Sequence, residues 1–178
     1  MENHEEENLN SIEGIVALAT DDLLHGGAQR HMERMETLRQ RYTLGKYTCK
    51  QGRFVGKDFT PLSDGSIRID QEFYVKARVQ EVPITKERKR RKYSQCTPVE
   101  VEQLRALLGT LAWVAKETRA DLAGKIALVQ QSFPRPLIRD IIMANTIAKE
   151  ALDNPQLGIR VMPIPLERLH AGVVTDAA

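Results

Sequence analysis

Two adjacent aspartates are the residues of this chain whose types and spacing most directly suggest chemistry. Asp21 and Asp22 interrupt the apolar stretch 15–24, and Gly26-Gly27 closes it. This pattern is typical of two strands of a β-hairpin with the aspartates at its tip. Neighbouring carboxylates repel each other, and Mg²⁺ would stabilise them because it binds one or two carboxylates and leaves other positions to water and phosphates. A solvated turn without a metal is the alternative.

Composition favours one ordinary domain or two small ones. Of the 178 residues, 42% are hydrophobic and 28% charged, which predicts a globular protein with a modest core. The net charge of +2 hides an acidic N-terminus and a basic block at residues 86–92. Local electrostatic fields should therefore matter more than the total charge.

Cysteine usage and hydropathy predict a soluble intracellular protein, cytoplasmic or nuclear. Cys49 and Cys96 lack metal-ligand spacing and are expected to be free thiols. No apolar run is long enough to span a bilayer, and the N-terminus has no signal-peptide pattern. We therefore expect no membrane partner.

The first half of the chain predicts a disordered acidic segment and then a small α+β region. Residues 1–14 are polar and acidic. Within residues 15–79, the hairpin precedes an amphipathic helix over 28–42 and a short helix over 71–79. Strands are expected at 46–50, 53–60 and 66–70, and the short helix is expected to face inward with Phe73, Tyr74 and Ala77.

Residues 80–96 have no regular apolar pattern and are dominated by the basic block. Like charges at this density predict an exposed linker. Three interpretations remain open: a solvated connector, a contact with nucleic-acid phosphates through Lys89, Arg90 and Arg91, or a nuclear import signal.

Residues 97–155 predict a three-helix bundle, and residues 156–178 a strand pair. Thr97, Pro98 and Glu100 form a capping-box pattern before an apolar helix. Two further helices are expected, one at 120–132 with Leu122, Ile126, Leu128 and Val129 as its apolar residues and one at 137–152. The strand pair would comprise 158–162 and 171–175.

The stretch 104–122 resembles the thumb signature of copia-type retrotransposon reverse transcriptases. That family shows a Val-Gly-Ser-Leu-like core, an aromatic residue, and then Thr-Arg-Pro-Asp-Leu. Ala120 departs from the pattern, where proline is expected. The positions that agree are Gly109, Leu111, Trp113, Thr118, Arg119, Asp121 and Leu122.

Other family motifs occur in the same order along the chain. After the Asp-Asp hairpin come Leu44-Gly45, then Ile69-Asp70-Gln71 with Tyr74, and then the thumb-like helices. Asp176-Ala177 occupies the place where the family's ribonuclease H domain begins. The resemblance covers nearly everything from Ile15 to the C-terminus.

The resemblance implies an α+β fold, a partial palm followed by a thumb-like bundle, and template-directed DNA synthesis. Two Mg²⁺ or Mn²⁺ ions would lie about 4 Å apart. Asp21 would be the direct ligand and Asp22 its partner. Lys116 and Arg119, with Lys125 and Arg139, would contact template-primer phosphates, whereas Trp113 is expected in the core.

The chain departs from an active polymerase in several respects. Ala19 stands where the family has an aromatic residue, and the fingers and the upstream catalytic aspartate have no counterpart before the hairpin. Asp176 is the single carboxylate of the ribonuclease H part. The prediction is a truncated reverse transcriptase, inactive alone, whose partners are an RNA or DNA template-primer and the rest of the Pol polyprotein; whether the fragment itself binds a metal is left open.

Two alternatives remain from the sequence: a non-catalytic module that binds nucleic acid or a partner, and a reading frame without a stable fold. Other reaction classes find little support, because the chain has no phosphate-binding glycine loop and no nucleophile elbow. The histidines lack ligand spacing. Gly26-Gly27, between His25 and His31, disfavours a shared helical face for that pair.

Overall fold

The protein is a mixed α+β structure with small antiparallel sheets, as the sequence predicts at this level. The computed structural model describes residues 13–163, which form two compact units divided between Val55 and Gly56. Within these residues, no helix has the length and apolar character needed to cross a membrane. Most of the acidic segment 1–14, the expected strand 171–175 and Asp176 lie outside the described residues.

The first unit consists of a hairpin, a helix and a short strand. Strands β1 (Gly14–Ala19) and β2 (Asp22–Gly27) pair antiparallel, with Ala19 opposite Asp22. Helix α1 (Gln29–Arg41) and strand β3 (Gly52–Phe54) follow. The predicted hairpin and amphipathic helix are thus confirmed.

The strand expected at 46–50 is wrong, because those residues form no strand. The single strand expected at 53–60 is also wrong, because the chain turns at Val55 and Gly56, whose φ angles are 49° and 70°. Glycine adopts this left-handed backbone without the steric cost that a side chain adds. The sequence reasoning placed the turn at the earlier glycine, Gly52.

The second unit contains three neighbouring antiparallel strands: β4 (Lys57–Pro61), β5 (Ile67–Asp70) and β6 (Ile159–Val161). Ile69 of β5 lies opposite Phe59 on one side and Ile159 on the other. The Asp64 carboxylate accepts hydrogen bonds from the Ser66 N–H and hydroxyl at 3.1 and 2.6 Å. These bonds stabilise the turn between β4 and β5.

Helices form the rest of this unit: α2 (Glu72–Arg78), α3 (Lys86–Arg90), α4 (Pro98–Glu117), α5 (Ala120–Gln130) and α6 (Ile138–Asp153). The predicted capping box is present, since Thr97 Oγ1 accepts from the Glu100 N–H and the Glu100 carboxylate accepts from the Thr97 N–H. Helices α4, α5 and α6 pack on one another around fully buried leucines and isoleucines, which confirms the three-helix bundle.

Three local expectations are wrong. Phe73 and Ala77 were expected to face inward but are exposed. Helix α2 packs on the core through Val75 instead, and Val79, one helical turn further along the chain, joins the same core. Leu128 of α5 is likewise exposed. The stretch expected to be a linker contains α3, whose first turn is capped by the Thr85 hydroxyl.

Candidate functional site

The two aspartates lie at the closed end of the hairpin. Thr20 and Asp21 form the turn, and the φ of 50° at Thr20 lets the strands reverse. Asp22 is the first residue of β2. Both carboxylates are on exposed residues, so a solvent cation can reach them.

One of these carboxylates already has a partner inside the first unit. The Val55 N–H donates a hydrogen bond to Asp22 Oδ2 at 3.1 Å. Two carboxylates match the oxygen donors that Mg²⁺ prefers. In residues 13–163, however, no group of three or more histidine, cysteine, aspartate or glutamate side chains is placed to hold a metal ion. The hairpin by itself therefore offers a pair of acidic ligands, of which Asp22 also fixes the end of β3.

The basic block is divided between paired and unpaired cations. Arg88 donates to both carboxylate oxygens of Glu100, at 3.0 and 2.6 Å, and these bonds hold the pKa of Glu100 below its usual value. Arg91 pairs with Glu87 at 3.0 Å on the exposed surface, a contact of little energetic value. Lys89 and Arg90 are exposed and form no ion pair with the rest of the described chain. They can meet an anionic partner without losing an internal contact.

An exposed tyrosine lies beside this block and was missed by the sequence reasoning. Tyr93 is 67% exposed, with Lys92 Nζ 5.1 Å and Arg139 Cζ 6.0 Å from its ring centroid. Backbone bonds from the Arg139 N–H to the Lys92 carbonyl and from the Ile138 N–H to the Ser94 carbonyl fix this segment at the start of α6. We call Lys89, Arg90, Lys92, Tyr93 and Arg139 the basic surface.

The remaining predicted cations have different environments. Lys116 is exposed, with its ammonium 5.9 Å from the ring centroid of half-buried Trp113. The Arg119 side chain is only 3% exposed and donates to Asp121 and to the Asn154 carbonyl. Its guanidinium holds the start of α5 to the end of α6, so Arg119 is not available to a phosphate in this structure.

Two histidines, for which the sequence disfavours a shared helical face, lie side by side across a strand and a helix. His25 Nδ1 and His31 Nε2 are 3.3 Å apart, one on β2 and the other in the first turn of α1. Gly26-Gly27 rules out a shared helical face but allows the chain to pass from strand to helix. The signal available in the sequence was the glycine pair itself, which marks a close approach.

Comparison of the chain with models of known protein families, with curated protein sequences and with solved structures found no match. The fold and the side-chain geometry therefore carry the functional argument.

Proposed function

We propose that this chain derives from the reverse transcriptase of a copia-type retrotransposon. In this assignment the β1–β2 hairpin belongs to the palm, α4–α6 to the thumb, and the chain alone binds template-primer without extending it. The observation that carries the assignment is the hairpin, with Asp21 in its turn and Asp22 beginning the second strand. The same relative order of hairpin, helix, small sheet and helical bundle supports it.

Exposed apolar residues on the hairpin support a larger palm around it. Val16 and Leu18 share one face of β1 and are 48% and 71% exposed, and Leu23 lies opposite Leu18. Contiguous exposed apolar surface marks places where further protein packs. Full activity would thus require more of the Pol polyprotein. In that setting Asp21 and Asp22 would hold Mg²⁺ or Mn²⁺, which neutralises the triphosphate and activates the primer hydroxyl.

Primer extension tests the catalytic part of this proposal. We expect no nucleotide incorporation by the chain alone with either metal. A chimera in which the fingers and first palm strands of a copia-type enzyme are fused before residue 13 should extend the primer. Asp21→Asn in this chimera should abolish the extension. Asp153→Asn, at an exposed aspartate on α6, is the matched control. A folded chimera without activity, or one that Asp21→Asn leaves active, would contradict the assignment.

A non-catalytic nucleic-acid-binding module is the second candidate, and the basic surface is the observation that favours it. Exposed cations and an exposed aromatic ring suit phosphates and an unstacked base. Binding to a labelled RNA–DNA hybrid should weaken as salt rises. Neutralising Lys89 and Arg90 to glutamine should lower the salt slope by about two, one for each lost phosphate contact.

The control removes the same charge elsewhere on the second unit, at exposed Arg78 and Lys149. An equal loss of affinity in both double variants would indicate unspecific attraction. Binding that withstands salt, or that survives the loss of Lys89 and Arg90 unchanged, would argue against the basic surface. If the chain binds the RNA–DNA hybrid but the chimera does not extend a primer, non-catalytic nucleic-acid binding would be the supported function.

A further inference from the structure

The histidine pair is held in place by the shape of the hairpin's open end. Gly14 and Gly27 are opposite each other in the β1–β2 register. A Cβ at Gly27 would lie 2.7 Å from His31 Cγ, and one at Gly14 would overlap the same ring. Both positions therefore require glycine for the His31 imidazole to lie against the strands. His31 is only 8% exposed as a result.

The first turn of α1 is fixed to the hairpin by polar contacts. The Ala28 N–H donates to the Glu13 carbonyl at 2.7 Å, and Arg30 pairs with the Glu13 carboxylate at 3.1 Å. These contacts set where the helix starts relative to β1. They keep His31 in register with His25.

The His25 imidazole also stacks on an aromatic ring. The Tyr47 ring stacks on His25 with centroids 5.9 Å apart and an interplanar angle of 22°. Arg39 Cζ lies 4.3 Å from the centroid of the same tyrosine. His25 thus contacts two rings, Tyr47 and His31, and the His31 ring centroid is 5.3 Å from that of His25. Both imidazoles are pre-positioned, which lowers the entropic cost of binding a ligand between them.

The separation of the two facing nitrogens matches one coordination geometry. Zinc–imidazole bonds of about 2.0–2.1 Å place two nitrogens of a tetrahedral site about 3.3–3.4 Å apart. Adjacent ligands of a square-planar ion with similar bonds would lie about 2.9 Å apart. The observed 3.3 Å between His25 Nδ1 and His31 Nε2 fits the tetrahedral ion.

We propose that His25 and His31 form a two-imidazole binding site for a tetrahedral divalent transition-metal ion, Zn²⁺ in preference to Mg²⁺. When both imidazoles are neutral, a hydrogen bond between them requires a proton on one of the facing nitrogens. On metal binding this proton moves to the outer nitrogen of the same ring, so no net proton is lost. Water occupies the other two coordination positions, since no third protein ligand is grouped with the pair among residues 13–163. The site is independent of the proposed polymerase origin.

Calorimetric titration of the full chain with Zn²⁺ tests this proposal, with Mg²⁺ titrated in parallel. We expect one Zn²⁺ per chain, shifts of the His25 and His31 imidazole NMR signals, and no binding of Mg²⁺ at this site. His25→Gln should weaken Zn²⁺ binding by at least about tenfold, as should His31→Gln. His170→Gln is the matched control and should retain the wild-type affinity.

His31→Gln could disturb the packing on Gly14 and Gly27, so His25→Gln, at the less buried ring, is the decisive variant. Its circular dichroism should match the wild type. Absence of one-to-one Zn²⁺ binding by the folded wild type would overturn the proposal. Binding that survives His25→Gln but disappears in Cys49→Ser would also overturn it, because the exposed thiol would then be the ligand.

Discussion

Each of the two units of this protein is stabilised internally by a different kind of interaction. In the second, α4, α5 and α6 enclose a continuous apolar core, and every buried residue of that cluster lies between residues 75 and 151. In the described part of the first unit, Met35 is the one buried apolar side chain, whereas both hairpin strands expose large apolar residues. Ion pairs, glycine–histidine packing and stacked rings hold that unit together.

Because of this difference, we expect the two units to unfold at different free energies. Burial of apolar surface is the dominant favourable term in folding. A two-stranded hairpin with little packing is marginal in water. We therefore expect the first unit to open locally at a lower free energy than the helical core.

The largest expected effect comes from truncating matched leucines in the two units. Leu111 is fully buried in α4, and Leu111→Ala should lower the free energy of unfolding by about 2–5 kcal/mol. Leu18 is 71% exposed in β1, so Leu18→Ala should change the free energy of unfolding by less than about 0.5 kcal/mol. Urea denaturation followed by far-UV circular dichroism measures both. A large loss for Leu18→Ala would show that the hairpin has a hidden core.

A smaller effect is expected from a polar clamp within the second unit. Asn145 of α6 is buried, accepts from the Val82 N–H and donates to the Val82 carbonyl, each at 2.8 Å. Asn145→Ala leaves both backbone groups without a partner and should cost about 1–3 kcal/mol. Thr146→Ala, at the neighbouring exposed position, is the control. Equal unfolding midpoints for the two variants in urea would contradict this role.

The smallest expected effect is a dependence on pH confined to the first unit. The pKa of His25 lies below its ordinary value of 6.5, so the unfolded chain binds more protons than the folded chain below that pH. The contribution of His25 to stability is therefore constant above about pH 6.5 and falls as the pH drops toward the folded pKa. Residues 56–163 contain no histidine.

Amide hydrogen exchange in β2 and α1 measures this effect, with α4 as the internal reference. Protection in β2 and α1 should fall between neutral pH and pH 5 after correction for intrinsic exchange rates. The fall should be reduced in His25→Gln. An equal loss of protection in α4 would show that the two units open together.

Local patterns predicted much of the fold. Apolar runs bounded by polar and glycine residues predicted β1 and β2, and the helical period predicted α1 and α4–α6. The Thr97 capping box was also predictable, because its partners are three residues apart. Each of these features depends on interactions between residues close in sequence.

The incorrect expectations concern choices that distant contacts make. Helix α2 has seven residues, and its apolar side chains lie on more than one face. Only packing against the helical bundle decides that Val75 is buried and Phe73 is exposed. Arg119 has the type and pattern of a phosphate ligand, but the Asn154 carbonyl that engages it lies far along the chain. Periodicity cannot supply such partners.

By itself, the sequence determined where the hairpin strands and the longer helices of this protein form, because backbone propensity, capping and apolar spacing act over a few residues. It also placed Asp21 and Asp22 at a turn. Only the tertiary structure decided that Asp22 accepts from Val55, that Arg119 is buried, and that His25 meets His31. These contacts depend on which surfaces pack together, and that is settled by the burial and hydrogen bonding of the folded chain as a whole.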